Sequence, residues 1–435
     1  MMRFYDRDAE LKILKKNREL SEKGSVFTVI TGKRRIGKTA LIRESEKNSK
    51  LLYFFAERGN ENTLCEQLAA DANMCLGMDL INTGRFRDLF KQLMIHGEKN
   101  GFTFVIDEFQ ELARSDGSVM SGIQRYWDEY KNGTSVNLIV CGSVHSMMIR
   151  IFENEKEPLF GRASSRLRIG PFRPSTVREV LRDHNPDHTN EDLLFLYMVT
   201  GGIPKYIELL MDRGAVSFDS MLDLVCSPGS QFLTDGKDLL ISEFGKEYGT
   251  YFSILKHISK GRTTLRELNA SIGKECGPYL ENLEREYDIV KKNRPVFSKE
   301  NSRDVTWKVT DNYLRFYFRY ISSNQSLIEM GQYGLLKEKI MSDYHNYSGS
   351  VLEDYFREKM AEEERITRIG SYWDRKGMNE IDIIALNDMN GSATVVEVKR
   401  DPKKANIEKL KEKAGTVQGL NGLRTEYRIL SLKDM

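Results

Sequence analysis

At 435 residues, 40% of them hydrophobic, the chain is long enough for roughly two to four domains with real apolar cores. Its 66 basic residues nearly balance 64 acidic ones, so whole-molecule charge supplies no pull toward nucleic acid, and any such contact must come from a local patch. No apolar run reaches the roughly eighteen residues of a membrane span, the opening Met1-Met2-Arg3-Phe4-Tyr5-Asp6-Arg7 lacks the apolar core of a secretory signal, and the scattered Cys65, Cys75, Cys141, Cys226 and Cys276 fit neither a disulfide framework nor a zinc knuckle. A cytoplasmic protein with no membrane partner is expected.

In chain order, Asp6 is positioned to cap a helix in which Leu11, Leu14 and Leu20 recur at helical spacing. Arg7 beside it is a candidate nucleotide contact, with a solvated surface charge as the alternative. Val26-Phe27-Thr28-Val29-Ile30 reads as a buried strand, Gly32-Lys33-Arg34-Arg35-Ile36-Gly37-Lys38-Thr39 fits the pattern G-x-x-x-x-G-K-[ST], and Ala40 leads into a helix. The glycines let backbone N–H groups turn inward on a phosphate, and the helix N-terminus adds positive charge. Lys38 is suited to the β and γ oxygens and the Thr39 hydroxyl to Mg²⁺. ATP and Mg²⁺ are therefore the expected ligands, with Gly32 to Ala40 as the binding loop.

A strand, Leu51-Leu52-Tyr53-Phe54-Phe55, and a long helical stretch through Leu68, Leu76, Leu89 and Leu93 follow, so the alternation predicts a parallel sheet. The strand Gly101-Phe102-Thr103-Phe104-Val105-Ile106 delivers Asp107 and Glu108 at its carboxyl end, where ligands of open α/β sheets bind. Asp107 suits the Mg²⁺ shell and Glu108 the general base that deprotonates the attacking water. The strand Val136 to Ser143 ends on a small hydroxyl, which makes Ser143, and secondarily Asn137, a candidate γ-phosphate sensor, with a helix cap as the competing use. In the arginine-rich segment beyond it, Arg162 is the first candidate for a guanidinium placed on the γ-phosphate, from the same chain or a neighbour.

Gly32 to Thr39, Ile106-Asp107-Glu108-Phe109-Gln110, Cys141-Gly142-Ser143, Leu159-Phe160-Gly161-Arg162 and Gly201-Gly202-Ile203-Pro204-Lys205-Tyr206 together resemble the archaeal-type AAA+/STAND ATPase family from Phe4 to about Leu210. The resemblance implies a P-loop NTPase core over 1–170 and a helical lid over 171–245, with Gly201-Gly202-Ile203-Pro204 in the lid that couples nucleotide state to domain position. Read from the residues alone, Gly-Gly-x-Pro is a helix stop and hinge candidate, or a plain loop. His184 and His188 flank Pro186, which breaks the helix that would aim both at one metal.

From about 248 the pattern gives three helices and two strands, the outline of a winged helix-turn-helix over 246–325. Its third helix region carries Glu275, Glu281, Glu284 and Glu286, which oppose phosphate, against Lys274, Lys291, Lys292 and Arg294, which favour it. The aromatic stretch Tyr313 to Tyr320 reads as core packing. In 326–435, Glu353 lies on a helix, Asp382 on one strand, and Glu397 and Lys399 on the next, with Asn390-Gly391 in the connection. If Leu386 opposes Ala393, Asp382 falls opposite Glu397, which clusters two acids and a lysine on one sheet face, as Mg²⁺-assisted phosphodiester cleavage requires. This part resembles the PD-(D/E)XK restriction-endonuclease-like superfamily: Glu353 matches the helical acid, Asp382 the first sheet acid and Glu397-Val398-Lys399 the E-x-K. It departs in having Glu380-Ile381 where a proline often precedes the acid.

The expected architecture is thus α/β: a parallel-sheet P-loop NTPase with a helical lid, a winged-helix domain and a C-terminal α/β nuclease-like domain. The expected function is an ATPase whose hydrolysis moves the winged and nuclease-like domains on DNA. An ATP-gated nuclease and a STAND-type assembly scaffold that cuts nothing are the alternatives. A homo-oligomer or a protein partner fits any of these.

Overall fold

The computed structural model describes residues 2–115, 117–143, 145–244, 248–299, 302, 304–363, 365–374 and 379–435. The chain divides into two compact units, Phe4–Gly170 and the segment from Pro171 to Met435 joined by the N-terminal residues up to Arg3.

In the first unit the apolar runs become β1 (Val26–Thr31), β2 (Leu51–Phe55), β3 (Phe102–Asp107), β4 (Val136–Gly142) and β5 (Ser165–Arg168). They form one sheet in the order β2-β3-β4-β1-β5, every neighbour parallel. The central strands β1, β3 and β4 are buried almost throughout, which is why they read as continuous β-branched and aromatic runs instead of alternating ones. Phe27, Phe54, Phe86, Phe90, Phe104 and Trp127 fill the core, with the Phe27 and Trp127 rings edge to face at 5.2 Å. Each such side chain contributes on the order of 2 kcal/mol by leaving water.

Two local expectations change. The long helical stretch is two helices, Glu61–Leu76 and Phe86–His96, because Gly77 takes a left-handed conformation (φ 64°) and closes the first. The entry helix spans Asp8–Ser21 and is preceded by Arg7, with Asp6 accepting from the Arg7 backbone N–H at 2.7 Å instead of capping the helix; Leu20 faces solvent.

In the second unit, helices Pro174–His184, Asn190–Thr200 and Pro204–Met211 surround the Gly201-Gly202 turn. Gly202 has φ 73°, and a Cβ there would lie 2.3 Å from the Phe172 carbonyl oxygen, whose own N–H donates to Gly202 O at 2.8 Å. Only glycine fits. Gly202→Ala is expected to cost about 2–3 kcal/mol through the combined left-handed strain and backbone collision, measured as a lowered midpoint of thermal unfolding.

Helices Tyr248–Ser259, Leu265–Ile272 and Gly277–Arg285 lead to an antiparallel ribbon of β6 (Val290–Asn293) and β7 (Thr306–Val309). The aromatic stretch after it is buried as expected: Tyr313, Phe316, Tyr317, Phe318 and Tyr320 are all inside. The chain ends in the long helix Tyr333–Ala361 and a sheet of β8 (Arg368–Trp373), β9 (Glu380–Asn387), β10 (Ser392–Lys399) and β11 (Arg424–Ser431), in the order β11-β10-β9-β8. β9 and β10 pair antiparallel with Leu386 opposite Ala393, while β11 returns parallel to β10 after the helix Ile407–Gly415.

Candidate functional sites

The first site forms where β1 ends. The loop from Gly32 to Gly37 leads into the helix Lys38–Ser45, whose first residue is the motif lysine. Gly32 packs so closely that a Cβ would sit 2.6 Å from Ile169 O. Ile36 is buried beneath the loop, whereas Arg34, Thr39 and Ala40 face solvent and Lys33, Arg35 and Gly37 are half-buried. Lys38 Nζ donates to the carbonyls of Gly32 (2.8 Å) and Lys33 (3.0 Å), so the ammonium is held within the loop that would receive a phosphate.

Because β4 lies between β1 and β3, the loop and the Asp107-Glu108 pair emerge at the same sheet edge, about 9–10 Å apart by strand spacing. Thr39 Oγ1 bridges the gap and donates to Asp107 Oδ2 at 3.0 Å. Asp107 also accepts from the Tyr53 hydroxyl, from Cys141 Sγ at 2.9 Å and from the Glu108 N–H at 2.9 Å. Burial, with the Asp107 charge adding to it, pushes both the Tyr53 hydroxyl and the Cys141 thiol well above their ordinary range, so both stay protonated and both remain donors. Glu108 has φ 52°, unusual for a residue with a side chain, and accepts from Ser143 Oγ at 2.8 Å and from Gln110 Nε2. Hydroxyl and carboxylate oxygens at Thr39 and Asp107 match the hard donors Mg²⁺ prefers.

Two candidates land elsewhere. Arg162 precedes β5, whose parallel register with β1 runs from Thr28↔Ser165 to Thr31↔Arg168; it bonds Asp128 Oδ2 at 3.3 Å and Phe160 O at 2.9 Å. That places it at the amino ends of the strands, roughly 15–20 Å along the sheet from the loop, so the same-chain version of its role is corrected: within one chain it does not reach the phosphate site. Asn137 is likewise corrected as a sensor, since it is the second residue of β4, opposite Val26, buried and donating to Thr103 Oγ1 at 3.2 Å. Arg7 is buried, with Nη2 on Gly170 O at 2.5 Å, one residue past the Ile169 that packs against Gly32, so it fastens the entry segment beside the loop.

The second site is in the C-terminal sheet. The β9–β10 register, continued one pair past Ile383↔Val396, sets Asp382 against Glu397. Lys399 Nζ lies 3.3 Å from Asp382 Oδ2 and 3.5 Å from Glu397 Oε1, while the Val398 N–H donates to Asp382 at 2.7 Å. Burial lowers the Lys399 pKa, but the charges of Asp382, Glu397 and Glu353 outweigh it and hold the ammonium above its usual range. Glu353, on the long helix, is pushed up to about 7, first by burial and then by the Asp382 charge. Among the described residues, no group of three His, Cys, Asp or Glu side chains stands ready to hold a metal; the lysine sits between the two sheet acids instead.

Glu353 gives a pH prediction. Its folded pKa is raised, so the folded chain binds the extra proton between about 4.5 and 7, and stability falls as pH rises through that window. Glu353→Gln is expected to flatten the fall and to stabilise the chain at pH 8 by on the order of 1 kcal/mol, read from urea unfolding at pH 5 and pH 8.

Beside this cluster, Asp354 accepts from Lys308 of β7, from Arg315 at 2.5 Å and from Arg357 at 2.6 Å. Burial alone would raise its pKa, but these three cations hold its carboxylate far below the ordinary range. Lys308 in turn is lowered to about 8 by burial. Spacing could not reveal this network, nor Tyr53 and Cys141, since each joins residues distant in the chain; the one available signal was the unusual placement of polar residues in apolar strands.

Residues 4–210 match the model of an ATPase domain predominantly from Archaea, and residues 317–410 that of archaeal and bacterial proteins of unknown function. An uncharacterised protein of Methanocaldococcus jannaschii, MJECL04, is 31% identical over 444 aligned residues, covering 99% of this chain and 96% of that protein. The Walker-type ATPase PABY2304 of Pyrococcus abyssi shares the fold with a TM-score of 0.54 at 19% identity, over 72% of this chain and 96% of that one.

Proposed function

The chain belongs to the same family as the uncharacterised Methanocaldococcus jannaschii protein and carries an ATPase domain of predominantly archaeal type over residues 4–210, and from that premise we propose a Mg²⁺-dependent ATPase that acts on nucleic acid through a second, phosphodiester-cleaving centre in its C-terminal segment. The observation that carries the first half is the convergence of Lys38, Thr39, Asp107 and Glu108 on one sheet edge, with Thr39 already on Asp107 at 3.0 Å. Thr39 and Asp107 would hold the Mg²⁺, which would supply charge neutralisation at the phosphates. Lys38 exchanges its two loop carbonyls for the β and γ oxygens, which carry full charge and bind an ammonium more strongly. Glu108 takes a proton from water as that water's oxygen bonds to the γ-phosphorus and the bond to the bridging oxygen breaks, releasing ADP and phosphate. Ser143 and Gln110 orient the Glu108 carboxylate, and Tyr53 and Cys141 hold Asp107 in place.

Arg162 then acts only from a neighbouring chain, where the far end of one sheet meets the phosphate edge of the next. Arg162→Ala is expected to lower turnover by about 10³-fold with little change in affinity. Mixing it with Lys38→Ala protein should restore part of the hydrolysis, because one mutant supplies an intact loop and the other an intact arginine. Full turnover by Arg162→Ala alone would remove this residue from the reaction.

The second half rests on Asp382, Glu397 and Lys399 meeting where β9 begins and β10 ends, with Glu353 close enough for Asp382 to raise its pKa. This arrangement supports the restriction-endonuclease-like reading, in which the acids would hold a metal and the lysine would stabilise charge developing on the phosphate. The three helices and ribbon before it support a winged helix-turn-helix. An assembly scaffold is the second reading, favoured by two observations: Lys399 neutralises the sheet acids itself, and Lys292 of the ribbon is turned onto Glu284 and the Trp307 ring instead of outward.

A further inference from the structure

Lys399 is followed by Arg400, and this arginine has no part in the cluster chemistry. Its Nη2 donates to both carboxylate oxygens of Glu191 at 2.8 Å, and its Nη1 donates to Ser348 Oγ at 2.7 Å. The guanidinium also lies 5.1 Å from the centre of the Tyr344 ring and is only 15% exposed. Glu191 stands in the first turn of the helix Asn190–Thr200, and its neighbour Asn190 donates to Leu432 O at 2.8 Å. One end of this helix therefore grips the end of β10 that carries Lys399.

Further along, the same helix grips the opposite wall of the cluster. Tyr197 is buried beside Glu358, whose charge helps burial raise the tyrosine pKa, and its ring stands edge to face on Tyr355 at 5.4 Å. Both partners lie on the long helix within five residues of Glu353. The acid on the long helix and the lysine on the strand are thus joined through the helix Asn190–Thr200 as well as directly, by Ser348 on Arg400 and by Arg357 on Asp382 O at 3.1 Å. The helix Asn190–Thr200 ends at Gly201-Gly202, where two successive residues have positive φ.

We propose that Arg400 is a positioning residue: it transmits the position of the helix Asn190–Thr200 to Lys399, making this helix the switch of the C-terminal phosphodiester centre. The proposal rests on the reading of that centre given above, so its test needs a readout that does not require cleavage. Lys399 itself provides one, since an ammonium held between two carboxylates reacts slowly with amine-directed reagents. When the strut is broken the strand end loosens, the lysine leaves the acids, and it is labelled faster.

The experiment uses full-length wild type, Glu191→Gln and Glu191→Lys, with labelling of Lys399 by acetic anhydride followed by mass spectrometry and nicking of supercoiled plasmid measured in Mg²⁺. Glu191 is partly exposed, so Glu191→Gln keeps the fold while removing the charge. Labelling of Lys399 is expected to rise about threefold in Glu191→Gln as its ammonium leaves the two carboxylates, and further in Glu191→Lys, with Lys91 of the first unit unchanged. Nicking is expected to fall about tenfold or more, since small misplacements of a catalytic group cost that much. Unchanged Lys399 labelling in both variants overturns the strut, and faster labelling with undiminished nicking overturns the switch. Faster labelling in a protein whose wild type nicks nothing keeps the strut and removes the phosphodiester reading instead.

Discussion

Glu108→Gln is expected to bind ATP as the wild type does and to hydrolyse it about 10²–10⁴ times more slowly, the range a positioned general base contributes. The amide keeps the volume and one acceptor oxygen of the carboxylate, so Ser143 Oγ still has a partner at its 2.8 Å distance and the left-handed backbone at Glu108 is undisturbed. What it loses is the lone pair that takes the proton from water. Phosphate release at saturating ATP, together with equilibrium binding, separates the two effects. Wild-type turnover in this variant would take the base role away from Glu108.

Asp382→Ala is the second large effect. If the cluster cleaves phosphodiesters, this change abolishes Mg²⁺-dependent nicking, while ATP turnover stays within about twofold of wild type because Asp382 and Lys38 belong to separate compact units. It also removes an acceptor from Lys399 and from the Val398 N–H, so folding is checked first by thermal unfolding. If the segment only clamps nucleic acid, the same change leaves binding intact or strengthens it. In that case neutralising the exposed Lys403 and Lys404 weakens binding and flattens its salt dependence. Absence of any binding at low salt, with or without ATP, leaves the scaffold.

How much was legible from the residues follows from how the information is laid out. The phosphate loop is contiguous and its strand and helix adjoin it, so Gly32 to Ala40 could be placed without knowing the sheet. Asp107 and Glu108 were legible because an apolar strand ending in two carboxylates is a local pattern. The shared face of Asp382, Glu397 and Lys399 was legible because a slip of one pair moves the partner by two residues and keeps it on that face, whereas the register itself, Leu386 opposite Ala393 across a four-residue turn, was one of the possibilities. Strand order was not legible, and it decides what Arg162 and Asn137 can touch: both sit at strand beginnings, a full sheet length from the loop. Nor was the Glu191–Arg400 contact, which spans 209 residues of chain. The long helical stretch failed for a simpler reason, since the periodicity of Leu68 and Leu89 carries across Gly77 on paper while a left-handed glycine ends the helix in space.

The claim on which the rest depends is that Gly32 to Ala40 forms an ATP site with Lys38 at its centre. Equilibrium titration of a fluorescent ATP analogue in Mg²⁺, into wild type and Lys38→Ala at matched ionic strength, tests it most directly. The wild type is expected to bind saturably, and the variant, having lost a charge-assisted contact of about 2–3 kcal/mol, to bind some 30- to 150-fold more weakly. Equal affinity in the two proteins, or no saturable binding to the wild type, would contradict the account.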